Sequence, residues 1–171
     1  MNDSLSALSA LAARYCKLIE RSGADCDAWL SEIAKLLPRL HAALWSFDPG
    51  STKGGLGLKI DIDARFELYA HLVGLLGERD AYWLEFDRLD ADQPMTGSLA
   101  DDLADIYCEL KEGLTLLSTN PEWALHGWLT GYAHHWGQHL VDAERHLAAL
   151  SAQGRLDGSP QGGRSSSDTA V

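Results

Sequence analysis

The residues best suited to chemistry lie in one stretch, 120–150, whose pattern predicts a single long helix. Asn120 can cap its first turn, and Pro121 suits the first helical position because its missing N–H is no loss there. At about 100° per residue, six side chains fall within a stripe roughly 80° wide. They are Trp128, Tyr132, His135, His139, Asp142 and His146. The stripe flanks the apolar face of the helix, so these side chains should be half-buried.

Two histidines of this stripe have the spacing of metal ligands. His135 and His139 are four residues apart, which lets two imidazoles reach one ion, and Asp142 follows three residues later. The zinc peptidase motif requires a glutamate where Trp136 stands, and this excludes that class of enzyme. Alternatively, the histidines are core-edge residues bonded to carboxylates of neighbouring helices, with His146 paired to Asp142 on the surface. The sequence leaves both interpretations open.

The preceding predicted helix, 98–117, carries acidic side chains on one stripe. These are Asp101, Asp102, Asp105, Glu109 and Glu112. Most of the stripe should face water and aid solubility. Asp102 and Glu109 lean toward the core, however, and could meet the histidines if the two helices are antiparallel neighbours, as their short connection suggests. Asp102, Asp105 or Glu109 would then complete the ligand shell of a divalent metal, the only cofactor that the pattern suggests.

Six tryptophans are many for 171 residues. Core packing between helices is the usual explanation for such large side chains. Trp123 lies opposite the apolar side of the long helix, however, and with Trp128 and Tyr132 it forms a candidate partner surface. Such a surface would bind another protein or a second copy of this chain.

Composition favours one soluble domain, because 171 residues with 46% apolar content suffice for one core. The net charge is −11, and the segment 61–112 holds 14 acidic and four basic residues. This imbalance argues against nucleic acid and anionic membranes as partners. The three cysteines are far apart, which is typical of reduced thiols in the cytoplasm. No stretch reads as a secretion signal or a membrane span.

Helical spacing of apolar residues predicts an all-α fold, a single-domain bundle of about five to six helices with one long C-terminal helix. The domain should cover 1–150, followed by a disordered tail at 151–171. Pro38 should kink or break the second helix near Leu37. Residues 47–57 should form a loop, and no strand pattern of useful length is present.

Three strings resemble a family of small bacterial all-helical proteins that is described as a domain of unknown function. They are YWLEFD at 82–87, SLADDLADIY at 98–107 and HWGQHLVDA at 135–143. The resemblance implies a compact helical domain and brings no established catalytic residues. Asp101, Asp102 and Asp105 are also similar to half of the paired acidic motif of the all-α nucleoside triphosphate pyrophosphohydrolases. The second half, E-x-x-D on another helix, is missing.

These observations favour a cytoplasmic, non-catalytic binding or interaction module with an acidic surface, because no nucleophile and base are assembled in the sequence. The alternative is a metal-dependent hydrolase or a metal-binding sensor that uses the His/Asp stripe of the last helix. Geometry discriminates between them, since metal ligands must converge to about 2.0–2.2 Å from one ion.

Overall fold

The computed structural model describes residues 3–23, 25–47, 61–84 and 95–156. These residues form α1 (Asp3–Ile19), α2 (Cys26–Leu44), α3 (Ile62–Leu76), β1 (Ala81–Leu84), β2 (Met95–Ser98), α4 (Leu99–Leu117), α5 (Pro121–Gly131) and α6 (Gly137–Ala152). A 3₁₀ turn, Gly77–Arg79, joins α3 to β1, and a π-helical turn, Tyr132–Trp136, joins α5 to α6. The predicted all-α fold with a long last helix is confirmed. In the described part of the chain no helix is long and apolar enough to cross a bilayer.

Local capping explains where the helices begin. The Asn120 side chain accepts a hydrogen bond from the Trp123 N–H at 3.1 Å, and Ser98 accepts one from the Asp101 N–H at 3.3 Å. Both caps satisfy backbone donors that the first helical turn leaves free. Pro38 was expected to kink or break α2 near Leu37, and the helix is not broken there, since it continues through Pro38 to Leu44. Buried leucines on both sides of the proline hold α2 against the core.

A small hairpin interrupts the helical order, and the sequence pattern did not predict it. β1 pairs with β2 in antiparallel register, with Tyr82 opposite Gly97. Each strand has only four residues, too few to show a clear period of two. The hairpin places the Tyr82 ring against His146 of α6, with ring centroids 4.6 Å apart.

Helix α4 lies at the centre of the bundle, where α1, α3, α5 and α6 all pack against it. The buried Tyr15 hydroxyl of α1 donates to the carbonyl of Leu103 at 2.9 Å, which fixes α1 on α4. The predicted loop at 47–57, apart from Phe47, and most of the predicted tail lie outside the described residues. In the part of this tail that the structure describes, α6 continues to Ala152, and Leu156 is buried against the core.

The π-helical turn decides which side of the long helix is buried. It inserts one residue, so Trp128 and Trp136 differ by roughly 20° around the axis rather than about 80°. Both indoles are fully buried, and the Trp136 indole N–H donates to the Trp128 carbonyl at 3.2 Å. Gly137 permits this turn, because a Cβ there would lie 2.2 Å from the Tyr132 carbonyl oxygen. Trp128 is therefore a core residue, and its predicted place on a partner surface is wrong.

Candidate metal centre

The histidines of the long helix meet carboxylates of α4. His139 lies in the first turn of α6, and its Nδ1 is 2.9 Å from Oδ1 of Asp102. His135 lies in the π-helical turn, and its Nδ1 is 3.1 Å from Oε1 of Glu109. The turn at 118–120 reverses the chain, so α4 and the long helix are antiparallel neighbours, as expected. Asp102 and Glu109 therefore meet the histidines from the positions that the sequence indicated.

Asp105 lies between these two pairs. Its Oδ2 is 3.2 Å from Nε2 of His139, and the rings of His135 and His139 are 5.3 Å apart, nearly perpendicular. One potential ligand atom from each of Asp105, His135 and His139 lies within 4.8 Å of the others. Where the carboxylates of Asp102 and Glu109 are ionised they only accept hydrogen bonds, so the Nδ1 atoms donate and the Nε2 atoms remain available to a metal. We call Asp105, His135 and His139 the triad.

The acidic stripe of α4 does not face water as expected. Asp102 and Asp105 are each 4% exposed and Glu109 is 6% exposed, whereas Asp101 and Glu112 keep partial exposure. The expectation assumed a single buried side of this helix. Because α4 is the central helix, neighbours cover the acidic stripe as well as the leucines. The predicted acidic surface is reduced accordingly.

Arg65 of α3 supplies a positive charge to this buried group. Its Nε is 2.5 Å from Oδ1 of Asp105, and its Nη2 is 2.7 Å from both Oδ2 of Asp105 and Oδ1 of Asp101. These hydrogen bonds raise the pKa of Arg65. The sequence analysis missed this residue. The available signal was that no other arginine or lysine occurs between 61 and 78.

Tyr82 completes the polar network. Its hydroxyl donates to Oδ2 of Asp102 at 2.5 Å, so both oxygens of that carboxyl are hydrogen-bonded. Burial raises the pKa of Asp102 and of Glu109, while the hydrogen bonds from His139 and His135 oppose the increase. The hydrogen bond to Asp102 raises the pKa of His139. The network therefore retains protons that a bound cation could replace.

Asp142 does not join the triad. It accepts a hydrogen bond from Gln138 at 2.8 Å and lies 3.6 Å from Arg145. It lines a neighbouring cleft of about 910 Å³, which Tyr82, Asp102 and His139 also border. Its predicted role as a ligand beside His135 is therefore not supported by position.

His146 occupies a different place from the one expected. Its Nε2 donates to the backbone carbonyl of Arg79 at 2.8 Å, and only 9% of the residue is exposed. The interpretation of His146 as a surface partner of Asp142 is wrong, because the hairpin and the 3₁₀ turn cover this part of α6.

The three candidate partner residues do not form one surface. Trp123 is 55% exposed, Trp128 is buried, and Tyr132 is partly buried with its hydroxyl 2.7 Å from Nε2 of His41. Of these three residues, only Trp123 presents a large apolar side chain to solvent.

Comparison with solved structures shows the same fold in a bacterial protein. The crystal structure of protein BF1032 from Bacteroides fragilis is similar to this chain with a TM-score of 0.70 and 20% sequence identity. The similarity covers 94% of this chain and 96% of that one. No curated protein matches the sequence. A family model described as "Domain of unknown function (DUF5063)" matches residues 1–153, so the chain belongs to this family.

Proposed function

We propose that this protein binds a divalent transition metal, with Zn²⁺ the best fit, through the triad Asp105, His135 and His139. The observation that carries the proposal is the convergence of these three side chains within 4.8 Å. Each histidine is also backed by a buried carboxylate at its Nδ1 atom. Carboxylate–histidine pairs of this kind orient ligands in zinc sites, and two histidines with one carboxylate form a common catalytic metal site.

Metal binding requires the triad to contract. Zinc bonds of about 2.0–2.1 Å in tetrahedral geometry place ligand atoms roughly 3.3 Å apart. His135 can supply the movement, because 46% of its side chain is exposed. Asp105 can turn Oδ2 toward the ion and give up its hydrogen bond from Nη2 of Arg65, while Oδ1 keeps its hydrogen bond from Nε of Arg65. Arg65 then orients this ligand from behind.

Charge balance supports a cation at this position. Four carboxylates, those of Asp101, Asp102, Asp105 and Glu109, lie within hydrogen-bonding distance of Arg65 or one of the two histidines. Arg65 is the fixed positive charge among them. A divalent ion would compensate the remaining negative charge without the protons that the network otherwise retains.

The chemistry of the site would follow from its open coordination. Three protein ligands leave a position for water, and a metal lowers the pKa of that water enough to make it a nucleophile. The cleft of about 910 Å³ beside His139 offers space for a substrate, which favours a hydrolase over a sensor. A sensor would instead use the ion to hold α4 and α6 together.

The first test is elemental analysis of the untagged protein, with thermal melts in chelator and in added Zn²⁺, Mn²⁺ or Mg²⁺. Free metal at 100 times Kd adds about 2.7 kcal/mol to the free energy of unfolding. For a domain of this size that corresponds to a rise in Tm of about 5–10 °C.

Two neighbouring histidines provide a matched pair of variants. His135→Ala should abolish the shift, whereas His134→Ala should retain it, because His134 is exposed and outside the triad. Absence of stoichiometric metal and of any shift in the wild-type protein would refute the proposal. Equal loss in both variants would place the ion elsewhere.

A protein-binding role is the second candidate, and the exposure of Trp123 favours it. The free thiols of Cys16, Cys26 and Cys108 agree with a cytoplasmic setting for either role. The specific version is a homodimer through this face of α5. Light scattering should show a concentration-dependent mass that Trp123→Ala abolishes and Glu122→Ala, an exposed neighbour, preserves. A constant monomer mass would refute it.

A further inference from the structure

A second polar cluster lies where the long helix packs against α2. His41 bridges two residues of the long helix: its Nδ1 is 2.9 Å from Oε2 of Glu144, and its Nε2 is 2.7 Å from the hydroxyl of Tyr132. A carboxylate accepts hydrogen bonds only, so His41 Nδ1 carries the proton and donates to Glu144. When the imidazole is neutral, its Nε2 therefore accepts the Tyr132 O–H. Carboxylate, imidazole and hydroxyl stand in the order found in activated nucleophiles.

The surroundings of Glu144 and Tyr132 favour transfer of the phenolic proton to His41. The second carboxylate oxygen, Oε1 of Glu144, is buried and has no hydrogen-bond partner within the described part of the chain. The charge of Glu144 is therefore directed at His41, where it can stabilise an imidazolium. Burial also raises the pKa of Tyr132, with the Trp45 side chain opposing it through a hydrogen bond. The phenol is thus protonated at rest, and it must pass its proton to a base when it attacks.

Tyr132 borders a pocket whose size and polarity restrict the reacting group. The pocket holds about 120 Å³ and is lined by Leu44, Trp45, Phe47, Leu129, Tyr132 and Ala133. At roughly 30 Å³ per water-sized volume, it accommodates about four heavy atoms. Its walls are almost entirely apolar, so a short acyl chain fits and a phosphate or a sugar does not.

We propose that Tyr132 is a nucleophile that accepts short acyl groups from activated esters. The Tyr132 oxygen forms a bond to the acyl carbon, and the ester C–O bond breaks. The phenolic proton moves to Nε2 of His41 and from there to the departing oxygen, so an acyl-tyrosine and an alcohol result. Glu144 stabilises the imidazolium during the transfer. The acyl chain occupies the pocket beside Leu44 and Leu129.

The test is acylation of the full chain by p-nitrophenyl butyrate in buffer with chelator, followed by peptide mapping in the mass spectrometer. Tyr132 should be acylated at least ten times faster than Tyr107. Tyr107 is the internal control, because it is also partly buried and its hydroxyl bonds a carboxylate, Glu20, with no imidazole between them. p-Nitrophenyl octanoate should label Tyr132 about tenfold more slowly, since its chain exceeds the pocket.

Variants test whether His41 and Glu144 assist the acylation of Tyr132, or whether Tyr132 is merely more accessible to the ester. His41→Gln should slow acylation of Tyr132 by about 100-fold, the lower range for loss of a general base. Glu144→Gln should slow it in the same direction, while Glu20→Gln leaves Tyr132 unchanged. Circular dichroism confirms folding, and if His41→Gln does not fold, Glu144→Gln decides. Labelling of Tyr132 no faster than Tyr107, or equal labelling in the wild type and Glu144→Gln, would overturn the proposal.

Discussion

Gly113→Ala tests the packing of the long helix on α4. A Cβ at this position would lie 2.0 Å from Nε1 of Trp128, about 1.4 Å inside ordinary contact. Trp128 is fully buried and cannot move aside. Overpacking of this kind costs about 3 kcal/mol, and the better helix propensity of alanine returns about 1 kcal/mol. We expect a net loss of about 2 kcal/mol, seen in urea denaturation and as a Tm lower by about 4–8 °C.

Gly74→Ala is the matched control, because a Cβ there meets nothing within 4 Å. The same substitution in α3 should raise the free energy of unfolding by up to about 1 kcal/mol. Opposite signs for the two variants would support the placement of Trp128 against α4. If Gly113→Ala were neutral or stabilising, the burial of Trp128 at this site, and with it the register imposed by the π-helical turn, would be refuted.

Two further predictions concern buried ionisable groups. Burial raises the pKa of Cys16 to about 12 and of Cys108 to about 11, so at pH 8 native protein should react with iodoacetamide mainly at Cys26. Only about one Cys16 side chain in ten thousand is then a thiolate, and Cys16 alkylation at the rate of Cys26 would contradict this burial. Arg65→Met should cost about 2 kcal/mol, because Asp105 stays buried without its guanidinium partner. Added Zn²⁺ should restore more stability to this variant than to wild type, whereas unchanged stability without metal would count against the Arg65 contact.

Local sequence signals accounted for much of the fold. Asn120 caps its helix as predicted, and Ser98 caps the preceding helix in the same way, since capping depends on a residue and its next three neighbours. The meeting of Asp102 and Glu109 with the histidines also followed from the sequence, because a short turn forces two helices into antiparallel contact. Residues 81–84 and 95–98 were not predicted to pair, because pairing joins segments separated by ten other residues.

The chain by itself determined that this protein is a helical bundle, that its last helix is long, and that histidines of that helix lie near acids of the preceding one. Only the tertiary structure decided which side chains are buried and which converge. A helical wheel assumes one residue spacing throughout, and the π-helical turn at Tyr132–Trp136 changes that spacing in the middle of the helix. Arg65, His41 and Tyr82 acquire their partners across distant elements. Such contacts depend on how the helices pack together, which periodicity along the sequence does not encode.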